Sequence, residues 1–229
     1  MNRNSGPVTL GGDMVWMTLF ILPWLCFGEA PNCVVVDTFS SADAGRFPSG
    51  WKPYKKEGRK LYIVRTSEGD AYLHADVPPV PIQIGKKMKL DPKDWPYLSW
   101  RWRVVVPPEG GDERYKEKND SGAAIYVVFN RGWPKFRRHV IKYVWSSADL
   151  PKGEVLKGHY DPNMYVVVLR NARSPLNRWF SEKVNVFQDY KRIFRKAPPE
   201  IIGVALMTDA DDTNSRAVAD YDDIVFWKE

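Results

Sequence analysis

Apolar and polar residues alternate along several short stretches of this chain, with the period of two that is typical of a β-strand with one buried face. The clearest stretch covers residues 97–106, which read YLSWRWRVVV. Trp100 and Trp102 fall on one face of such a strand, whereas Arg101 and Arg103 fall on the other. We therefore expect the tryptophans to face the core and the arginines to face outward.

Other stretches rich in β-branched and aromatic residues predict further strands. They cover residues 34–39, 61–66, 71–77, 82–87, 123–129, 139–145 and 165–170. Residues 201–207 and 217–227 flank an acidic, turn-prone segment, which predicts an antiparallel hairpin. Asn185 precedes apolar positions at helical spacing, so we expect one short helix over residues 185–196.

The composition agrees with many short strands packed around one core. Hydrophobic residues make up 44% of the 229 residues and aromatic residues 14%, which is ample for a packed interior. The 18 prolines and 16 glycines are spread along the chain, as turns between strands require. We predict an all-β fold, an antiparallel jelly-roll-like β-sandwich with one short covering helix, formed by residues 31–229 as a single domain.

Residues 1–30 have the pattern of a signal peptide. Arg3 precedes an apolar run of 14 residues, and the sequence Gly28-Glu29-Ala30 follows it. A transmembrane helix needs roughly 20 residues, so we expect cleavage, a periplasmic or secreted protein and no integral membrane segment after processing. A retained membrane anchor is the alternative. Cleavage would leave Cys33 as the single cysteine, without an internal disulfide.

The charge of the chain favours anionic partners. The net charge is +6 for the whole sequence. Residues 1–30 contain one basic residue and two acidic ones, so residues 31–229 carry +7. Such a surface attracts anionic polysaccharide, lipopolysaccharide or lipid headgroups; a solvated surface without a partner is the alternative. We expect no nucleic-acid partner, because the sequence has no basic helix and no aromatic-basic RNA-binding motif.

Six separated motifs carry a resemblance to a known family. In chain order they are LSWRWRVVVPP, AAIYVVF, IKYVWS, WFSEKVNVFQDYKRIF, IIGVALMTDADDTN and ADYDDIVF. The sequence resembles a bacterial envelope family that is known as domain of unknown function 3047. The resemblance implies an envelope protein with a carbohydrate-binding-like β-sandwich, and it brings no established activity and no catalytic residue.

Acidic residues near the two ends of the predicted domain are candidates for a structural calcium site, because calcium takes six to eight oxygen ligands. In carbohydrate-binding sandwiches such an ion often ties the first strand to the last. The alternative is an ordinary Asp/Asn turn without an ion. The candidate ligands are Asp37, Asp209, Asp211, Asp222 and Asp223.

An aromatic and basic face is a candidate for sugar binding. Sugars present apolar C–H faces surrounded by hydroxyl groups, so their sites combine aromatic rings with planar hydrogen-bonding side chains. The alternative is that the aromatic residues belong to the core and the arginines lie at the surface. The candidate ligand-binding residues are Arg101, Arg103, Tyr126, His139, Tyr143 and Trp145.

Three function classes remain open. The leading hypothesis is non-catalytic binding of a carbohydrate or anionic envelope glycan. A polysaccharide lyase would use a histidine or tyrosine base beside a cation, and a glycoside hydrolase would use two carboxylates such as Asp120 with Glu154 or Glu182. A structural envelope protein is the third class. The sequence contains no HExxH, G-x-S-x-G or phosphate-loop motif.

Overall fold

The computed structural model describes Met1 and residues 32–130, 132 and 138–228. Apart from Met1, the predicted signal peptide lies outside the described residues. Asn32–Glu229 form one compact unit, in which the described strands build two sheets. This arrangement confirms the predicted β-sandwich. No helix among the described residues is both long enough and apolar enough to cross a membrane.

The secondary-structure elements follow one another along the chain with short helices at two points. The strands are β1 (Cys33–Asp37), β2 (Lys52–Pro53), β3 (Tyr62–Ser67), β4 (Asp70–Val77), β5 (Gln83–Leu90), β6 (Tyr97–Val106), β7 (Ser121–Asn130), β8 (Arg138–Ser146), β9 (Val155–Lys157), β10 (Met164–Arg170), β11 (Phe180–Asn185), β12 (Ile201–Met207) and β13 (Ala217–Trp227). The helices are α1 (Gly58–Leu61) and α2 (Val186–Phe194).

The two sheets differ in the number and order of their strands. The six-stranded sheet has the order β11-β6-β13-β4-β3, and β1 also pairs with β13. The seven-stranded sheet has the order β2-β5-β12-β7-β8-β10-β9. The strands pair antiparallel except β8 and β10, which run parallel. This pair departs from the predicted all-antiparallel arrangement, and residues 147–163 provide the long connection that parallel neighbours need.

The predicted hairpin of residues 201–227 is wrong. β12 lies between β5 and β7 in the seven-stranded sheet, whereas β13 pairs with β1, β4 and β6 in the other sheet. The acidic segment between them therefore connects the two sheets. Sequence alternation shows which face of each strand is buried, but it does not show which strand is the neighbour.

The core lies between the sheets and confirms the predicted alternation in β6. Leu98, Trp100 and Trp102 are buried from the six-stranded side. From the opposite sheet, the Tyr143 ring lies 5.8 Å from that of Trp100, and the Trp145 ring lies 6.0 Å from that of Trp102. Packed aromatic pairs of this kind contribute large buried areas to the core.

The helix α2 begins where the sequence predicts and covers the core with one face. The Asn185 side chain accepts a hydrogen bond from the Gln188 backbone N–H, as an N-cap residue does. Val186 and Tyr190 are buried. Arg195 adopts a left-handed conformation with φ 57°, which ends the helix just before residue 196.

Candidate functional site

The outer face of the seven-stranded sheet carries a cleft of about 680 Å³. This volume falls within the range of small-molecule and cofactor sites. The cleft crosses β7, β8 and β12 and reaches the loops at both edges of the sheet. It is lined by Tyr54, Pro81, Gln83, Asn119, Tyr126, Val128, Arg138, Val140, Lys142, Tyr160, Asp161, Met164, Ala205, Met207, Asp209, Asp211 and Asp212.

A buried lysine lies at the centre of this cleft. Lys142 is opposite Tyr126 in the pairing of β7 with β8, and its Nζ lies 5.6 Å from the centre of the Tyr126 ring. The residue is only 1% exposed. Burial works against its charge, but Tyr126, Asp209 and Glu113 outweigh burial, so the pKa of Lys142 lies above its ordinary value. Lys142 is therefore a charged donor at neutral pH.

Glu113 lies below Lys142 and is also buried. Its carboxylate accepts hydrogen bonds from the Ser121 hydroxyl, at 2.7 Å, and from the Ser146 hydroxyl. Burial raises the pKa of Glu113, and the charge of Lys142 opposes that rise. Because its oxygens are already engaged, Glu113 supports the lysine and does not line the cleft.

The turn between β12 and β13 supplies the acidic end of the cleft. Two buried tyrosines fix its first residue, since the Thr208 N–H donates to the Tyr62 hydroxyl at 3.0 Å and the Thr208 hydroxyl lies 2.8 Å from that of Tyr221. Asp120 fixes the rest by accepting from the backbone N–H and the hydroxyl of Thr213 at 2.7 and 2.6 Å. These bonds attach the acidic turn to β3, to β13 and to the residue before β7.

Asp209 is the most perturbed carboxylate of this turn. It is 5% exposed, and its Oδ1 has no hydrogen-bond partner among the described residues. Burial raises the pKa of Asp209 to about 9, and the adjoining Asp211 and Asp120 add to the rise, while Lys142 opposes it. Perturbed carboxylates in clefts are typical of functional sites.

Two exposed tyrosines border the cleft. Tyr54 follows β2 at one edge of the sheet and is 74% exposed. Tyr160 precedes β10 near the other edge and is 56% exposed. The Tyr160 hydroxyl donates a hydrogen bond to Asp212, which raises the pKa of Tyr160. Both rings offer an apolar face to a ligand while remaining accessible to solvent.

A second cleft of about 1130 Å³ continues the first along the same face. The two clefts share Tyr54, Gln83, Val128, Arg138 and Ala205, so they form one groove. The second part is basic and includes four lysines of β2 and β5, of which Lys86 is engaged by Asp37 at 2.9 Å. The groove therefore has an acidic end and a basic end.

The structure does not bring together the six residues predicted to bind sugar. Arg101 and Arg103 lie on β6 in the six-stranded sheet, whereas the other four lie on β7 and β8 in the seven-stranded sheet. Of the six, Tyr126 lines the groove. The face assignment fails because the sequence pattern does not reveal that β6 and β7 belong to different sheets.

Three of the predicted sugar-binding residues are buried away from the groove. Tyr143 and Trp145 belong to the core between the sheets. His139 is 4% exposed and stacks on Phe194, with the ring centres 4.0 Å apart. The Tyr143 hydroxyl donates to Asp189 at 2.9 Å. The sugar-facing role expected for these three side chains is wrong, because they face α2 and the core.

The two arginines belong to a network on the other face of the sandwich. Both guanidinium groups lie 4.8 Å from the centre of the Trp179 ring. Arg103 donates to the buried Asp220 at 2.6 Å, and Arg101 donates to the buried Asp222. Each arginine therefore has a buried carboxylate partner within the protein.

The predicted calcium ligands separate into different places. The oxygens of Asp37 accept hydrogen bonds from Trp51 Nε1 at 2.7 Å and from Lys86 Nζ at 2.9 Å. Asp222 and Asp223 both pair with Arg101. Each of these three carboxylates has a cationic partner within the protein, and the predicted tie between Asp37 and this pair stays a prediction. Asp209 and Asp211 lie together in the cleft.

Sequence reasoning missed several residues of the groove. Lys142 was visible as a charge within the apolar motif IKYVWS, and a charged residue in an otherwise apolar strand indicates a special environment. Tyr54 and Tyr160 gave no signal, because single exposed aromatic residues are common in loops. The sequence also suggests Asp120 with Glu154 or Glu182 as the carboxylate pair of a hydrolase. In the structure Asp120 accepts hydrogen bonds from the acidic turn, and Glu182 pairs with Arg170 on β10.

Comparisons with known proteins complete the description. The family 11 carbohydrate-binding module of a cellulase from Clostridium thermocellum is similar with a TM-score of 0.45 and 10% identity, covering 87% of this chain and 96% of that one. Endoglucanase 3 of Trichoderma harzianum, from family GH12, has a TM-score of 0.43 and 13% identity, covering 86% and 98%. No curated protein matches significantly.

A family match is found over most of the chain. The family is described as "Protein of unknown function (DUF3047)", and it matches residues 49–225. These residues include every strand that lines the groove and the whole acidic turn between β12 and β13. Since the match covers more than three quarters of the sequence, the chain belongs to the DUF3047 family.

Proposed function

We propose that this protein binds an oligosaccharide in the groove on the outer face of its seven-stranded sheet. The observation that carries the proposal is the pair of exposed tyrosines, Tyr54 and Tyr160, which border a cleft with polar side chains between them. The binding is non-catalytic in this proposal. Location in the periplasm or outside the cell, expected from residues 1–30, is part of the same proposal.

The aromatic side chains suit the apolar faces of sugar rings. A tyrosine ring offers a broad contact area with few rotatable bonds, so little conformational entropy is lost on binding. Tyr54 and Tyr160 already lie against the cleft. The more deeply placed Tyr126 adds a third ring beside Lys142.

The polar side chains suit the hydroxyl groups of a sugar. Gln83 and Asn119 offer planar amides that both donate and accept, and Asp211 and Asp212 offer acceptors. Lys142 contributes a charged donor at the base of the cleft. Buried or half-buried polar groups with fixed positions give orientation and specificity to such a site.

The charges of the groove decide where an acidic sugar would bind. The acidic turn repels a carboxylate, whereas Lys52, Lys87 and Lys89 at the basic end attract it. We therefore propose that an anionic glycan, if it is the ligand, places its acidic groups beside β5 and its uncharged rings beside Tyr160. In this proposal the lysines of the basic end take the role that the sequence suggested for Arg101 and Arg103.

A glycan array followed by calorimetry tests the proposal. The purified protein is screened against neutral, acidic and amino-sugar oligosaccharides, and the best ligand is titrated into the wild type and three tyrosine variants. Tyr54→Ala and Tyr160→Ala should each weaken binding by more than about 1 kcal/mol, as expected for truncated anchor residues. Tyr115→Ala, which changes an exposed tyrosine outside the groove, is the matched control and should bind normally.

Two outcomes would contradict binding in the groove. Equal losses in all three tyrosine variants, or no binding to any glycan class, would remove the argument from the exposed rings. Mass spectrometry of the glycan after incubation checks the non-catalytic part, because shortened or unsaturated products would identify a hydrolase or a lyase. Further losses in Lys87→Ala and Lys89→Ala that are larger at low salt than at high salt would favour the anionic ligand.

A further inference from the structure

Three carboxylates come close together where β7 begins and the acidic turn follows β12. One oxygen each from Asp120, Asp209 and Asp211 lies within 4.8 Å of the other two. Two oxygens that bind the same calcium ion, each at about 2.5 Å, lie at most about 5 Å apart. The three side chains therefore have a spacing that suits one ion.

The burial of Asp209 and the missing hydrogen bond at its Oδ1 are a separate observation that points to a cation. The residue is 95% buried, and its Oδ1 has no hydrogen-bond donor among the described residues. Buried carboxylate oxygens in proteins nearly always have a partner, because desolvation without one is costly. A cation bound beside this oxygen would satisfy it.

The three carboxylates would repel one another whenever all of them are ionised. One oxygen of each lies within 4.8 Å of the others, and like charges at such distances in a partly dry site destabilise each other. A divalent ion bound between them would remove this repulsion.

We propose that Asp120, Asp209 and Asp211 bind a divalent cation of the calcium type at the acidic end of the groove. The ligands are all oxygen atoms, which hard cations prefer over softer metals. Asp120 Oδ1 accepts one bond from the Asp212 N–H at 3.3 Å, so it retains a lone pair for an ion. Because the turn is fixed by Tyr62, Tyr221 and Thr213, the ligands are held in place before the ion binds.

The proposed site differs from the calcium site predicted from the sequence, which would join the first strand to the last. It joins the start of β7 to the turn after β12 and lies beside Lys142 and Tyr160. The ion would therefore hold the acidic wall of the groove. The proposal does not depend on carbohydrate binding, because the three carboxylates meet whether or not the groove takes a glycan.

Calorimetry on chelator-treated protein tests the proposal. Calcium chloride is titrated into the wild type, and magnesium chloride is titrated separately. We expect one calcium ion per chain, with a dissociation constant at or below the roughly millimolar range of extracellular calcium modules. Asp209→Asn and Asp211→Asn should each weaken calcium binding at least about tenfold, since affinity follows the number of charged ligands.

The control is Asp223→Asn, which changes an exposed aspartate of the earlier predicted set. This variant should bind calcium like the wild type. Melting temperatures measured with chelator show whether each variant is folded. Absence of calcium binding to the folded wild type, or loss of binding in Asp223→Asn but not in Asp211→Asn, would overturn the proposal.

Discussion

Charged side chains in this protein differ mainly in whether their partner is buried or exposed to solvent. Arg101 is 24% exposed, yet it donates to Asp222, whose side chain is 1% exposed. Asp223 lies next to it in a left-handed conformation at a bulge in β13, with φ 52°, so both carboxylates reach the same arginine. By contrast, Arg216 and Asp76 form a pair in which both partners are solvated.

Arg101→Ala should destabilise the protein much more than Arg216→Ala. Loss of Arg101 leaves the buried Asp222 without its donor, and an unsatisfied buried acceptor costs about 1–3 kcal/mol. Loss of Arg216 should cost less than about 1 kcal/mol, the usual value for a surface pair. Denaturant unfolding of the two variants measures both values, and equal losses would contradict the assignment of Arg101 to a buried network.

The pH dependence of stability should show the burial of Glu113. Its pKa is raised above the ordinary value of 4.5 by burial, so the folded state favours the protonated form. The stability that Glu113 contributes is therefore fully present below that value and is lost as the pH rises through the raised pKa. Unfolding of the wild type and of Glu113→Gln is compared from about pH 4 to pH 8.

Glu113→Gln lacks this ionisation, so the stability of the wild type relative to the variant should fall as the pH rises. The difference between the two proteins removes the contributions of all other titrating groups. If the difference in unfolding free energy stays constant, or grows in favour of the wild type at high pH, the prediction is wrong. Lys142 would then fully compensate for the buried charge of Glu113.

Local sequence patterns predict an element well when its burial and its capping depend on residues that are close along the chain. The alternation in β6 and the N-cap of α2 are confirmed, since both depend on neighbours along the chain. β11 was missed because Glu182 lies on its inward side, 8% exposed and paired with Arg170. A charge in that position interrupts the apolar pattern, and the arginine that makes it acceptable comes from another strand.

Asn185→Ala should destabilise the protein by about 0.5–2 kcal/mol, the usual cost of losing an N-cap side chain. The expected cause is the loss of the bond from the Gln188 N–H, which is 2.9 Å long. Asn185→Asp is the matched control and should be nearly neutral, because aspartate caps equally well. Thermal unfolding measures both variants, and a loss of similar size in the aspartate variant would point to another role for the amide.

The groove is assembled from segments that are far apart in the sequence. Its residues Tyr54, Lys142, Tyr160 and Asp209 come from the segment after an edge strand, a central strand, a loop and the connection between the sheets. The sequence indicated aromatic and basic residues of the right types, but it combined two arginines of β6 with residues of β7 and β8, which belong to the other sheet. The order of strands in each sheet decides which residues share a face, and that order depends on contacts between distant segments.

Nuclear magnetic resonance with ring-labelled tyrosine tests most directly whether the ligand binds in the groove. The 11 tyrosines are assigned with single Tyr→Phe variants, and the oligosaccharide found by screening is added in steps. The signals of Tyr54, Tyr126 and Tyr160 should shift with ligand concentration, whereas those of Tyr72 and Tyr97, on the six-stranded sheet, should stay unchanged. Shifts confined to Tyr72 and Tyr97 would contradict the account, because the ligand would then lie on the opposite face of the sandwich.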